Sequence, residues 1–300
     1  MELTTEQKRG VLKRVSEEIF GDGNMQSVEE LIAPDFVDHD PLPGVPANRD
    51  GMKTLVGMFR SAFPDFEVDV LHTIVEGDKV VDHPASRGTH TGEFMGVPPT
   101  GKHISTSAIV ISRLGPDGRI VERWQRFGAM QLLQQIGVIP GWEEPPPVPQ
   151  APQVSGGRTT SVEENKQIME RQLAIWNDGD YAVADAIFHP QAITPDAPQL
   201  PVGPEGCKEV ARIFRTAFPD FRMTVEDMIA ENDLVCCRFR QTGTHEGDLF
   251  GIAPTGRSVD FGEIAICQIA DGQIVASWFQ TDMLGLMSQL GVGQQASTPA

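Results

Sequence analysis

Cysteine is scarce in this 300-residue chain: Cys207, Cys236, Cys237 and Cys267 are the four, and all lie in the second half. None has the spacing of a zinc site or a redox Cys-x-x-Cys. The first half folds without any, so disulfides are not what holds the fold, and a reducing cytoplasm is the expected home. Basic charge is also short. The 24 Lys and Arg against 42 Asp and Glu leave a net charge of −18, which argues against nucleic acid and anionic membrane surfaces as partners. No apolar run is long enough to span a bilayer. The opening Met1-Glu2-Leu3-Thr4-Thr5-Glu6 lacks the basic and apolar regions of a signal peptide. There is no HExxH, no Cys/His cluster with ligand spacing and no phosphate-cradling Gly-Lys-Ser/Thr.

What the chain does contain is a repeat. Ala62-Phe63-Pro64-Asp65-Phe66 returns as Ala217-Phe218-Pro219-Asp220-Phe221, 155 residues on. Gly88-Thr89-His90 with Gly92 and Pro99-Thr100-Gly101 returns at the same offset as Gly243-Thr244-His245 with Gly247 and Pro254-Thr255-Gly256. Trp124 and Gln135-Ile136-Gly137 return as Trp278 and Gln289-Leu290-Gly291 at an offset of 154, after Gly115-Pro116-Asp117-Gly118 has shortened to Ala270-Asp271-Gly272. A period this long marks a duplicated domain, since solenoid units run ~20–50 residues. Each copy is a control for the other: shared residues are candidates for fold, unshared polar residues for function.

Both copies read as helices followed by strands. Thr4-x-x-Gln7 and Ser161-x-x-Glu164 are capping boxes ahead of apolar faces carrying Val11, Leu12, Val15 and Ile19, or Ile168, Met169, Gln172, Leu173 and Trp176. Second short helices are expected at 27–32 and 181–188. A third in each copy ends at Phe-Pro, where proline stops it. The period then drops to two, and Asp271-Gly272 is a strong hairpin signal. Helices first and antiparallel strands afterwards make α+β domains, expected at 1–141 and 161–293, with a Pro/Gly-rich linker at 142–160 and a loose tail at 294–300. Helices against one face of a curved sheet leave a cone-shaped hollow, where small ligands bind.

The hairpin sets an expected geometry. With Ala270 opposite Gln273, Ala265 should face Trp278, Glu263 should face Gln280 and Phe261 should face Asp282. Alternate residues share a face, so Glu263, Trp278, Gln280 and Asp282 would gather beside Phe261. Two carboxyls in a poorly hydrated place have raised pKa values, as a general acid/base near neutral pH requires. Asp282 is equally suited to cap a helix starting at Met283. The first copy lacks this pair, carrying Ala108, Arg126 and Gly128 where the second has Glu263, Gln280 and Asp282. It has Asp38-His39-Asp40-Pro41 instead, which with His83 (matching Arg238) forms either a separate polar pocket or an exposed turn. Asp40 and Asp196 are shared. For His245, matching His90, catalysis competes with a structural bond to a loop carbonyl. Trp124 and Trp278 read as core anchors or ligand-stacking platforms.

At these motifs the chain resembles the SnoaL-like polyketide cyclases of the NTF2-like superfamily. Phe-Pro-Asp, Gly-Thr-His-x-Gly with Pro-Thr-Gly, Asp-Gly-x-Ile-Val before Trp and the closing Gln-Leu-Gly carry the likeness over nearly the whole of both copies. The resemblance implies two tandem NTF2-like cone domains, held by the linker as an internal pseudo-dimer, with further homo-oligomers an option. It implies a hydrophobic small-molecule substrate, aldol-type ring closure or isomerisation without metal or organic cofactor, and Asp282 as the acid/base. Glu263, Gln280 and His245 would assist it. An epoxide hydrolase using both carboxyls with Arg238, and a non-catalytic binding or dimerisation module, are the alternatives.

Overall fold

The structure is a computed structural model and describes residues 3–139 and 160–292. The expected linker, apart from Thr160, and the expected tail lie outside the described residues. The chain divides into two compact units, Met1–Glu144 and Pro145–Ala300. No helix among the described residues is long and apolar enough to cross a membrane.

In the first unit, α1 (Thr5–Arg14) starts at the expected capping box: the Thr4 side chain accepts from the Gln7 amide and Gln7 reaches back to the Thr4 backbone. The helix continues as a π-helical segment, Val15–Gly21. Its cause is visible in the repeat. Thr4 and Ser161 are 157 residues apart, yet Asp22 and Asp178 are 156 apart. The first copy therefore carries one extra residue here, and the helix widens to absorb it. The second unit, one residue shorter, stays α-helical throughout α5 (Val162–Asn177) below. After the π segment come α2 (Met25–Leu31), β1 (Ile32–Asp38), α3 (Arg49–Ala62), β2 (Glu67–Glu76), β3 (Lys79–Thr89), β4 (His103–Leu114), β5 (Ile120–Phe127) and α4 (Ala129–Gln135). The second unit repeats the order with α5, α6 (Tyr181–Ile187), β6 (Phe188–Ile193), α7 (Pro204–Ala217), β7 (Arg222–Glu231), β8 (Leu234–Thr244), β9 (Ser258–Ala270), β10 (Gln273–Thr281) and α8 (Met283–Leu290).

Each unit has one five-stranded sheet, ordered β1-β5-β4-β3-β2 and β6-β10-β9-β8-β7. These are the α+β cones expected. The strands β1 and β6, which run parallel to β5 and β10, were not expected. Pro34-Asp35 interrupts the alternation that would have shown β1 in the sequence.

The shared motifs are fastenings. In the first unit the Asp65 carboxylate accepts from the Thr89 amide at 2.7 Å and its hydroxyl at 2.6 Å. In the second, Asp220 accepts from Thr244 in the same two ways at 2.6 and 2.8 Å. Both clasps tie the turn after the third helix to the end of a central strand. Gly92 and Gly247 lie so close to the preceding helix that a Cβ would stand 2.0 and 2.1 Å from the carbonyls of Ser61 and Thr216. Only glycine fits there.

One expectation is corrected. The Asp271-Gly272 turn forms as read, with both residues at positive φ and Ala270 opposite Gln273. A β-bulge between Ile274 and Ala276 then shifts the pairing, so Glu263 faces Thr281, Ala265 faces Phe279 and Ile266 faces Trp278. The first unit has the matching irregularity at Leu114 and Ile120. A one-residue slip exchanges the faces of a strand. Trp278 and Gln280 therefore lie on the sheet face opposite Glu263.

Candidate active site

The cone of the first unit holds a cavity of about 880 Å³, counting its open mouth. Its helical wall includes Leu12, Val15, Ser16 and Phe20, so the π-helical segment shapes it directly. Phe59, Phe66 and Phe127 make much of it apolar, and Asp82, Ser112, Arg123 and Gln125 supply polar groups from three adjacent strands.

Arg123, only 3 % exposed, is the fixed point. Its Nη2 donates to Asp38 Oδ2 at 2.5 Å and its Nη1 to Met52 Sδ at 3.4 Å. Its Nε–H is buried with no partner among the described residues, and the neighbouring Ser112 Oγ is in the same condition. Ser112 and Arg123 are directly paired across β4 and β5. A guanidinium N–H and a hydroxyl thus adjoin at the cavity wall with hydrogen-bonding capacity to spare. Asp38 in turn accepts from the Asp40 amide at 3.1 Å. Asp40 accepts from the Gln125 amide at 3.0 Å and pairs with Arg126. This network holds the end of β1 against β5.

Asp82 stands on the same sheet face, two strands away. It pairs with Val110, which pairs with Gln125, so from strand spacings its Cα lies about 12 Å from that of Arg123. Burial pushes its carboxyl up to about 6, against smaller opposing effects of the Thr73 hydrogen bond and the Arg9 charge. Thr73 Oγ1 donates to its Oδ1 at 2.9 Å. A carboxyl near 6 changes protonation state close to neutral pH, as a general base must.

The residues expected from sequence are distributed differently. Asp38 and Asp40 form neither an exposed turn nor a cluster with His83. His83 lies next in β3 to Asp82, on the other face, with its Nδ1 3.1 Å from that of His72; burial lowers it to about 3. His39 stacks on Trp124 at 4.5 Å, on the face of β5 opposite Arg123. Asp196 Oδ2 accepts from the Phe279 amide at 3.0 Å, as Asp40 does from Gln125, so this shared aspartate ties strands in both units. Arg238 pairs with Glu226 and sits opposite Ile264, on the other face from Glu263. The carboxyl–Arg238 group expected for epoxide opening is not assembled.

Asp282 caps α8: its Oδ1 accepts from the Gly285 amide at 2.8 Å. Asp282→Ala is expected to cost about 1 kcal/mol, read as a lower urea midpoint. His245 is pinned by Thr255, whose hydroxyl lies 3.1 Å from its Nδ1 and whose amide donates to that atom at 3.2 Å. The ring bonds a threonine rather than a carbonyl, and burial lowers its pKa. Glu263 does face inward. It accepts from Thr281 Oγ1 at 2.7 Å and Gln241 Nε2 at 3.1 Å, and burial raises it, although the residue is not sealed from solvent.

Asp82, Ser112 and Arg123 were missed from the sequence. The signal was the comparison of copies, since they stand where the second copy has Cys237, Cys267 and Ser277. Among the described residues no group of His, Cys, Asp and Glu side chains is placed to hold a metal ion.

A family model described as SnoaL-like polyketide cyclase matches residues 10–136 and again 166–290. No curated protein matches the chain. Among solved structures, TsrD from Streptomyces laurentii is 32% identical, with 44% of this chain and 98% of that one covered and a TM-score of 0.43. Wild-type IdmH from Streptomyces antibioticus is 35% identical over 44% of this chain and 99% of that one, with a TM-score of 0.40.

Proposed function

This chain belongs to the SnoaL-like polyketide cyclase family, and from that premise we propose that its first unit catalyses cofactor-independent proton transfer on an apolar carbonyl compound, leading to aldol-type ring closure or isomerisation. Membership supports the cyclase or isomerase kind. The choice of unit rests on one observation: a carboxyl tuned to about 6 shares a largely apolar cavity with the unpartnered Arg123 Nε–H.

In this reading the Asp82 carboxylate takes a proton from the carbon α to a carbonyl. The electron pair moves onto the carbonyl oxygen, and the enolate oxygen accepts from Arg123 Nε–H and Ser112 Oγ–H. Donors already fixed by Asp38 and by the sheet need no reorganisation when the charge forms. In ring closure the enolate carbon then attacks a second carbonyl of the same molecule, and Asp82 returns its proton to the new alkoxide. In isomerisation the proton goes back to a different carbon. The surrounding phenylalanines exclude water and suit a hydrophobic substrate.

The test needs no knowledge of the natural substrate. Exchange of the α-protons of 1-tetralone into heavy water, followed by NMR, is expected to be accelerated by the protein. The rate should rise through pH 6 and level off above it, because only ionised Asp82 is a base. A protein that leaves exchange at the buffer rate, or whose acceleration is flat across that range, would end this reading. Catalysis by Asp282, with Glu263, is the second reading, favoured by the inward-facing Glu263. It requires exchange to collapse in Asp282→Asn and to survive in Asp82→Asn.

A further inference from the structure

Bonds kept in both units locate the extra residue of the first helix. Lys8 Nζ donates to the Gly77 carbonyl at 2.7 Å, and Asn165 Nδ2 donates to the equivalent Asn232 carbonyl at 3.0 Å. Lys8 and Asn165 are 157 positions apart, so the longer offset holds there. The Asn24 amide donates to the Glu18 carbonyl as the Asp180 amide does to that of Ala174, and these pairs are 156 apart. The added residue therefore lies between Arg9 and Glu17. Its effect is direct: the Asp22 amide reaches back five residues to Glu17, where the Asp178 amide reaches back four to Ala174.

The two interiors differ where this segment lies. In the second unit Ile168, Met169, Ile175 and Trp176 of α5 belong to one continuous apolar cluster, and Leu173 packs against it. In the first unit the apolar interior is parted in two. Leu12, Val15 and Ile19 belong with Val28 and Phe36, whereas Phe63, Phe66, Phe94 and Leu132 make a separate group. Phe20, near the end of the π segment, is the one residue among those described that packs against both. The cavity is lined from either side, by Leu12, Val15 and Met52 and by Phe66. Ser16 lines it as well, at the position where α5, counted from its capping box, has the larger Leu173.

We propose that the added residue is a specificity determinant. By widening the helix it holds Phe20 between the two clusters and keeps Ser16 on the wall, and so it sets the size of molecule that the first cone admits. Single π turns inside α-helices are frequent at functional sites. Asp82, Ser112 and Arg123 all lie on strands, so the segment governs fit while the sheet carries the chemistry. The inference rests on the proton-transfer reading for the kind of substrate, and goes beyond it in naming what limits that substrate's size.

Glu17 is the residue to remove. Its ion pair with Lys13, at 3.7 Å, is exposed on both sides, so little stability goes with it. Deletion joins Ser16 to Glu18 at the spacing of α5. In the deletion variant, exchange of 1-tetralone, with two fused rings, is expected to fall by about tenfold or more, the scale on which apolar pockets discriminate by size. Exchange of cyclopentanone, with one small ring, is expected to stay at the wild-type rate. Equal losses for both ketones would mark a merely structural role and overturn the proposal, as would undiminished tetralone exchange. Should the deletion prevent folding, Ser16→Leu decides: tetralone exchange must fall more than cyclopentanone exchange, or the proposal fails. If wild type accelerates exchange of neither ketone, the catalytic reading is lost, and calorimetric binding of 1-tetralone settles the inference separately. Binding by wild type that is lost in the folded deletion variant, or in Ser16→Leu, would uphold it. Equal binding, or none by wild type, would overturn it.

Discussion

Asp82→Asn is expected to abolish most α-proton exchange while making the protein more stable at alkaline pH. General-base contributions are typically ~10²–10⁴-fold, so exchange should fall by about that factor at pH 8. The stability effect follows from the same carboxyl. Its value is raised from 3.8 to about 6 by folding, so the folded state holds the proton more tightly than the unfolded chain. The stabilisation this gives is fully present below pH 3.8 and lost as pH rises through 6. A difference of that size between folded and unfolded chain is worth about 3 kcal/mol. Asparagine is neutral throughout and keeps an acceptor for Thr73. The variant should therefore match wild type below pH 4 and exceed it by up to about 3 kcal/mol at pH 8, as read by urea titrations at both pH values. Equal exchange in variant and wild type would remove Asp82 from the chemistry. A variant destabilised at pH 8 would show that the carboxyl is not strained by burial.

The second large effect belongs to the Asp38–Arg123 pair, whose side chains are 6 % and 4 % exposed. Asp38→Leu leaves a guanidinium buried without its counter-charge and the Asp40 amide without its acceptor. Breaking a buried pair from one side costs about 3–5 kcal/mol. Arg123→Met leaves the carboxylate stranded and should cost a similar amount. The double variant Asp38→Leu/Arg123→Met removes both charges, and such replacements are often neutral or stabilising, so it should recover most of the loss. Urea unfolding of the four proteins in a double-mutant cycle checks this. Additive losses in the double variant would show that the two charges do not depend on each other. Exchange should remain low in both variants that lack Arg123, including the restored double variant, because fold and chemistry need Arg123 for different reasons.

Much of the scaffold was legible in the residues. Both capping boxes, the Asp271-Gly272 turn and the helix-then-strand order are local features, decided by backbone hydrogen bonding and φ preferences within a few residues. The site was less legible because it depends on register. The bulge at Val275 leaves no composition signal, and its one-residue slip separated Glu263 from Trp278 and Gln280. Asp82 escaped notice as one of three charged residues in β3, and Arg123 as one arginine beside a tryptophan, since burial and pairing over 85 positions are tertiary facts. The extra residue in the first helix was present in the offsets, 157 before it and 156 after, but its meaning as a π segment in a cavity wall needed coordinates. The rule that unshared polar residues mark function held most information, and it pointed to Asp82 and Arg123 as readily as to Glu263.

The aspartate–threonine clasps, one within each unit, bear on how the two halves came to differ. Each half closes its own cone with residues contributed by itself, and neither clasp involves an interior side chain. Substitutions inside one cone are thereby insulated from the fastening that keeps it shut. A gene doubled in this way can let one interior carry Asp82, Ser112 and Arg123 where the other carries Cys237, Cys267 and Ser277, with neither difference threatening the frame they have in common.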